Sequence, residues 1–165
     1  MADEIITERL RLRRARTDDL PAIHGLLSDP RNMRFWSTPP HDSLAQSEKW
    51  LRSMVEADPA ASDDFVVERE GRVIGKLGCW QLPEVGFMIA FDETGRGYAT
   101  EAMAAFLERR RRLGQPRQLT ADVDPRNQAS LRLLARFGFI ETGRAQGSWT
   151  VGGEVCDSVY LALDL

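Results

Sequence analysis

Side chains that bind metals or cross-link chains are scarce here: the 165 residues include two cysteines and two histidines. Cys79 and Cys156 have no metal-ligand spacing, and two cysteines in a chain this long make no disulfide framework. Both read as small buried hydrophobes. His24 falls in a helical stretch and His41 in a polar loop, neither with the partner spacing of a metal site or a catalytic triad, so no metal is expected. Nowhere do 18 apolar residues run together, and the Met1–Ile6 start has no basic segment followed by a long apolar one. These absences argue against a membrane partner and for a cytoplasmic protein. One-sided charge is missing too: Lys plus Arg number 22 against 25 Asp plus Glu, a net charge of -3, so no global basic field draws nucleic acid. Repeats, low-complexity tracts and interdomain linkers are also lacking. With 42% apolar residues in 165, one sizeable core can form, and a single domain over 1–165 is expected.

Alternation over Ile5 to Arg14, with Leu10 and Leu12 between Arg9, Arg11 and Arg13, predicts a first strand. Thr17-Asp18-Asp19 supplies an N-cap and acids for a short helix carrying Leu20, Ile23 and Leu27 up to Ser28-Asp29-Pro30. Arg31 to Asp42, with Phe35, Trp36, Pro39, Pro40 and His41, lacks periodicity and reads as a loop whose aromatics pack on the core or over a substrate. Ser43 to Gln46 has the form of a capping box before a second helix reaching about Ala57, with Leu44, Trp50 or Leu51, Met54 and Val55 inward. Phe65 to Arg69, Arg72 to Leu82 and Val85 to Phe91 read as an antiparallel meander. Tyr98 to Leu113 is a helix with Ala99, Met103, Phe106 and Leu107 toward the core and Arg109 to Arg112 as a solvated basic end. A strand at Gln118 to Val123 leads to a helix with Leu131, Leu134 and Phe137, ended by Gly138 as a left-handed cap. Phe139 to Val151 and Glu154 to Leu163 then flank the hairpin signal Gly152-Gly153. The order implies an α/β (α+β) fold, a mixed, mostly antiparallel central sheet of about seven strands with helices on both faces.

One stretch carries chemistry. Thr94-Gly95-Arg96-Gly97-Tyr98-Ala99-Thr100-Glu101-Ala102 sits between a strand and a helix, the layout of an anion site. Two glycines one residue apart let successive N–H groups turn toward one ligand, and the helix start and Arg96 add positive charge. A pyrophosphate would fit. A G-x-G before a helix is also the pattern of a plain tight turn, and the glycines alone leave both readings open. A P-loop and a dinucleotide fingerprint are excluded, because the Gly-Lys-Ser/Thr and the third glycine they need are missing.

The stretch resembles the acetyl-CoA loop of the GCN5-related N-acetyltransferases, whose pattern Gln/Arg-x-x-Gly-x-Gly/Ala falls on Thr94, Gly97 and Ala99. Thr94 departs from the usual first residue. Asn127-Gln128-Ala129-Ser130 through Arg136-Phe137-Gly138-Phe139 is similar to a later segment of the family, and the element order is that of its fold. Thr7-Glu8-Arg9-Leu10-Arg11-Leu12-Arg13, the loop and Gly153 to Tyr160 resemble the RimJ/RimL-type branch. That branch includes acetyltransferases of ribosomal-protein N-termini and many enzymes of small amines.

The resemblance implies acetyl-CoA as co-substrate, held by Ile89, Ala90, Phe91, Thr94, Gly95, Arg96, Gly97, Tyr98, Ala99, Thr100, Asn127 and Ser130. It also implies direct attack of a primary amine on the thioester, that amine being a protein N-terminus or a small molecule. Glu84 would serve as base or orient the water that does, with Glu101 as the competing carboxylate. Ser130 or solvent would serve as acid, because Leu134 stands where many relatives carry a proton-donating tyrosine. Phe35, Trp36, His41 and Trp80 are candidates for acceptor contacts. A monomer or homodimer is expected. A catalytically inactive acyl-CoA-binding module is the alternative.

Overall fold

The computed structural model describes residues 4–165; the first three residues of the Met1–Ile6 start lie outside the described residues. The chain runs β1 (Glu4–Ile6), β2 (Arg11–Arg13), α1 (Leu20–Leu27), α2 (Pro30–Met33), α3 (Leu44–Val55), β3 (Asp63–Arg69), β4 (Arg72–Gln81) and β5 (Glu84–Ile89). It continues α4 (Tyr98–Leu113), β6 (Gln118–Val123), α5 (Gln128–Arg136), β7 (Ile140–Val151) and β8 (Glu154–Asp164). Eight strands form one sheet in the order β1-β2-β3-β4-β5-β6-β8-β7. Among the described residues every pairing is antiparallel except β5 with β6.

Local signals explain most elements. Ser43 caps α3 by accepting from the Gln46 N–H at 3.3 Å. Gln46 returns its Oε1 to the Asp42 N–H, one residue earlier than a strict capping box. Gly138, at φ 91, ends α5, and Gly152 and Gly153, at φ 56 and 83, make the left-handed turn of the β7–β8 hairpin.

Four expectations need correction. The first strand is a hairpin: the Thr7 N–H donates to the Leu10 carbonyl at 2.9 Å and the Thr7 hydroxyl accepts from the Leu10 N–H at 3.0 Å. Alternation continues across a turn and so conceals it. The loop after α1 opens with helix α2, where Asp29 caps and Pro30 is preset for the first helical position. In α3 the buried residues are Ser47, Leu51 and Met54, while Leu44 and Val55 face water. The basic end of α4 is not all solvated: Arg110 is buried, and both Arg109 and Arg110 bind Asp63 of β3, at 3.1 and 2.8 Å.

The sheet has two covered faces. α4 and α5 pack over one, where Phe65, Leu77, Val85, Phe106, Leu119 and Leu134 share a core. α1 and α3 cover the other, around Ile23, Leu51, Val66 and Met88. Phe106 is 0% exposed and meets Phe65 edge-on, with ring centroids 6.3 Å apart. Phe106→Ala is therefore expected to cost about 3–5 kcal/mol, read from the urea midpoint at unchanged slope. A loss below about 1 kcal/mol would mean that this core refills the cavity.

Candidate active site

β5 and β6 are joined by a single registered pair, Glu84 with Thr120, where the Thr120 N–H donates to the Pro83 carbonyl at 3.0 Å. Beyond it they part. β5 stays paired with β4 as far as Ile89, and β6 stays paired with β8 along its length. A cleft of about 1340 Å³ opens between them. Peptide groups alternate along a strand. The Pro83 carbonyl points toward β6 and the Ala90 N–H toward Ile74 of β4, so the peptide groups of Phe87 and Ile89 face the gap. Ladder groups left open in this way are ready to bond a ligand.

The glycine loop lies at the far end. Gly95 and Gly97 have φ of 76 and 81, and Gly97 is the N-cap of α4 without any side-chain cap. The consecutive N–H groups of Gly95 to Thr100 have no hydrogen-bond acceptor among the described residues. The other helices that follow loops, α3 and α5, are capped by Ser43 and Asn127 instead. Uncapped amides and the positive end of a 16-residue helix together form an anion cradle.

Of the residues singled out in the sequence, Ile89, Phe91, Thr94, Gly95, Gly97, Tyr98, Ala99, Thr100, Asn127 and Ser130 line this cleft, as do Glu84, Phe35, Trp36 and Trp80. Ala90, Arg96 and His41 do not. Ala90 turns to the α1/α3 core and gives its N–H to β4. β5 stops at Ile89 rather than Phe91, and the Phe91 N–H is taken by Asn32 Oδ1 at 2.7 Å, so neither amide is open to a ligand. Arg96 stands exposed, ion-paired with Glu93 at 3.2 Å. His41 and His24 share the Ser47 hydroxyl at 2.9 and 2.8 Å, which holds both rings under α3. Burial, and then the neighbouring His24, push His41 below the ordinary imidazole value. Cys79 is buried and its thiol is pushed up to about 12 by desolvation. Cys156 is a correction, half-exposed on the cleft wall with Arg126 at 3.6 Å from its sulfur.

Sequence reasoning missed Asp122 and Trp149. Trp149 Nε1 donates to Asp122 Oδ2 at 3.0 Å, and both line the cleft. β7 has extra residues between Ala145 and Trp149 relative to β8; at this bulge Gly147, at φ 59, donates to Asp157 Oδ1 at 2.8 Å. The bulge lets Trp149 reach across β8 to β6. Gly147 was the one legible signal.

Glu84 starts β5 at the apex of the opening. Desolvation by the cleft wall lifts its carboxyl above the ordinary value, and the Asp122 charge adds to the rise, although part of the side chain stays in water. Glu101 is different: it binds the Thr7 hydroxyl at 2.6 Å, the Arg9 N–H at 2.8 Å and Arg9 Nε at 2.6 Å. Arg9 also reaches the Arg96 carbonyl at 2.9 Å, tying the β1–β2 turn to the glycine loop. Burial raises the Glu101 carboxyl, but the bonds from Thr7 and Arg9 outweigh it and hold it below the ordinary value. Its stabilising contribution is thus present above the unfolded value, about 4.3, and is lost as pH falls through the lower folded one. Melting temperatures of wild type and Glu101→Gln should differ near neutrality and converge on acidification below about pH 4. A constant gap from pH 7 to 3 would sink this account.

Residues 9–140 match the family model of the acetyltransferase (GNAT) domain. The uncharacterized N-acetyltransferase p20 of Bacillus licheniformis is 23% identical over 168 residues, covering 96% of this chain and 94% of that protein. The fold is shared by RimL, the ribosomal L7/L12 alpha-N-protein acetyltransferase, solved with coenzyme A (TM-score 0.87, 19% identity, 98% of each chain). It is shared too by the microcin C7 self-immunity acetyltransferase MccE, solved with acetyl-CoA and AMP (TM-score 0.85, 13% identity, 96% of this chain and 94% of that one). A parted sheet, an uncapped helix start behind two left-handed glycines, and a family match over most of the chain agree, and the protein belongs to the GNAT acetyltransferases.

Proposed function

We propose that the protein is an N-acetyltransferase of the RimJ/RimL type that moves the acetyl group of acetyl-CoA to a primary amine, at a protein N-terminus or on a small molecule. The observation that carries this is the parting of β5 from β6 between the amide cradle and Glu84. The cradle from Gly95 to Thr100 suits a pyrophosphate, and the open peptide groups of Phe87 and Ile89 suit the pantetheine arm and the thioester oxygen. RimL and MccE, which bind coenzyme A or acetyl-CoA in the same fold, support that placement.

Acetyl-CoA supplies an activated acyl carbon with a thiolate leaving group. The amine must arrive with a lone pair, yet an alkylammonium with a pKa near 10 is almost fully protonated at neutral pH. Glu84 takes that proton directly or through water, and its raised carboxyl is a stronger base than an ordinary one. Glu84 and Asp122 also attract the cationic acceptor. An N–H facing the gap holds the developing oxyanion as the new C–N bond forms and the C–S bond breaks. Ser130, whose hydroxyl has no partner among the described residues, lines the cleft as proton donor to the departing sulfur; Leu134 is 0% exposed and cannot donate.

Two variants divide the site. Gly97→Val forces a β-branched residue to φ 81, which distorts the backbone of the cradle, and its Cβ would stand 3.4 Å from the Arg9 guanidinium that braces the loop. A folded Gly97→Val protein should bind acetyl-CoA at least about tenfold more weakly by calorimetry; normal binding would displace the cofactor site. Glu84→Gln keeps the shape but loses the base. It should retain acetyl-CoA affinity, lower turnover roughly 10²-fold in a thiol-release assay, and recover as pH approaches the amine's own pKa. In the wild type the acid limb of the rate profile should lie above the usual carboxylate range. An unchanged rate and profile in Glu84→Gln excludes it as the base. Acetyl-CoA binding without thiol release for any amine would favour the non-catalytic module.

A further inference from the structure

We propose that Lys76 selects the acceptor, its buried ammonium bonding a carbonyl or carboxylate oxygen that the amine carries near its reacting nitrogen. This rests on the N-acetyltransferase reading above.

Lys76 stands in the middle of β4 between Val66 of β3 and Met88 of β5. Side chains alternate across the sheet, so Lys76 shares a face with Met88 and, along β5, with Glu84. Asp122 is two residues from Thr120, which opposes Glu84, and lies on that same face. Lys76 is 5% exposed, and what remains open lines the cleft. Its cross-strand partner Met88 is flanked by Phe87 and Ile89, whose peptide groups face the gap. The ammonium thus stands on the cleft-lining face, one strand behind the edge along which the acetyl arm lies in the proposed complex.

Its bonding is incomplete. The ammonium lies 2.8 Å from Asp64 Oδ1 and has no other partner among the described residues. Three donors are available on an ammonium, so up to two remain. Asp64 Oδ2 is buried and also unpartnered. A buried ion pair is often replaceable by packed apolar residues without loss, and the same strand carries Ile74, Leu77 and Cys79 inward, so stability gives no reason for this pair. The choice of cation is informative. Of the 22 basic side chains only Lys49 and Lys76 are lysines. An arginine here would fork onto both oxygens of Asp64, whereas a lysine leaves donors for a ligand.

Asp64 already balances the charge, so the ammonium needs a lone pair more than an anion. Amines bearing a nearby carbonyl fit this; plain alkylamines and polyamines leave the donors unmade. Glu84 and Asp122 face the ammonium of such a compound while Lys76 faces its oxygen.

The test is thiol release from acetyl-CoA with two size-matched acceptor series, glycinamide, β-alaninamide and γ-aminobutanamide against propylamine, butylamine and pentylamine. Wild type should favour the best amide over its alkyl match at least tenfold in kcat/KM. Lys76→Met should lower that ratio at least tenfold at the same pH. Should it fail to fold because Asp64 is stranded, Asp64→Asn combined with Lys76→Met removes the buried charge and reads the same ratio. A wild type that uses both series equally, or a folded variant that keeps the wild-type ratio, overturns the role of Lys76 while leaving acetyl transfer intact. No thiol release with either series, nor with peptides bearing a free N-terminal Ser or Ala, overturns the transferase reading and this one with it, whereas release with such peptides alone overturns only the choice of small amides as acceptors.

Discussion

The single pair between Glu84 and Thr120 is the constraint on which the molecule turns. A sheet interrupted at its centre would come apart unless something spans the gap, and here α4 and α5 do so from one side. Their Phe106 and Leu134 share a core with Val85 and Phe87 of β5 and with Leu119 and Ala121 of β6. The apolar contact beneath the opening replaces the hydrogen bonds that parted strands forgo. Leu134 illustrates the consequence. Where a proton-donating side chain could stand, this chain has a wholly buried leucine that joins the two halves, and that position supplies no acid.

Charge within the cleft is graded, although the net charge of -3 hides it. Free amides and a helix start lie at one end; Glu84 and Asp122 lie at the other. The proposed transfer uses this gradient, with the anionic nucleotide drawn to one end and the cationic amine to the other. Glu101, one turn into α4, shows that a carboxylate near the loop need not join the chemistry. Its bonds to Thr7 and Arg9 brace the loop from behind, and they keep its own carboxyl low.

Buried ion pairs stand on both faces of the sheet. Asp63 gathers Arg14, Arg109 and Arg110 at 2.9, 3.1 and 2.8 Å, fastening the last turns of α4 to β3. A run of four arginines looks like a solvated helix end because periodicity says nothing about what a strand brings opposite. Asp64, the next residue, faces the other way and meets Lys76. Adjacent acids on one strand thus serve the two sides of the sheet.

Much was legible in the chain itself. Helix and strand runs, the Gly152-Gly153 hairpin, the caps at Ser43 and Gly138 and the Gly95-x-Gly97 loop depend on neighbours within a few residues, where local chemistry decides conformation. The loop and the Asn127 to Phe139 segment carried the resemblance that the family match bears out. Only the tertiary structure decided which peptide groups stay open, that Ala90 and Phe91 spend their N–H groups on Ile74 and Asn32, and that Trp149 crosses to Asp122. Those outcomes depend on register between strands far apart in sequence. A shift of one residue there would reverse every side chain and every amide, and nothing within either strand alone specifies it.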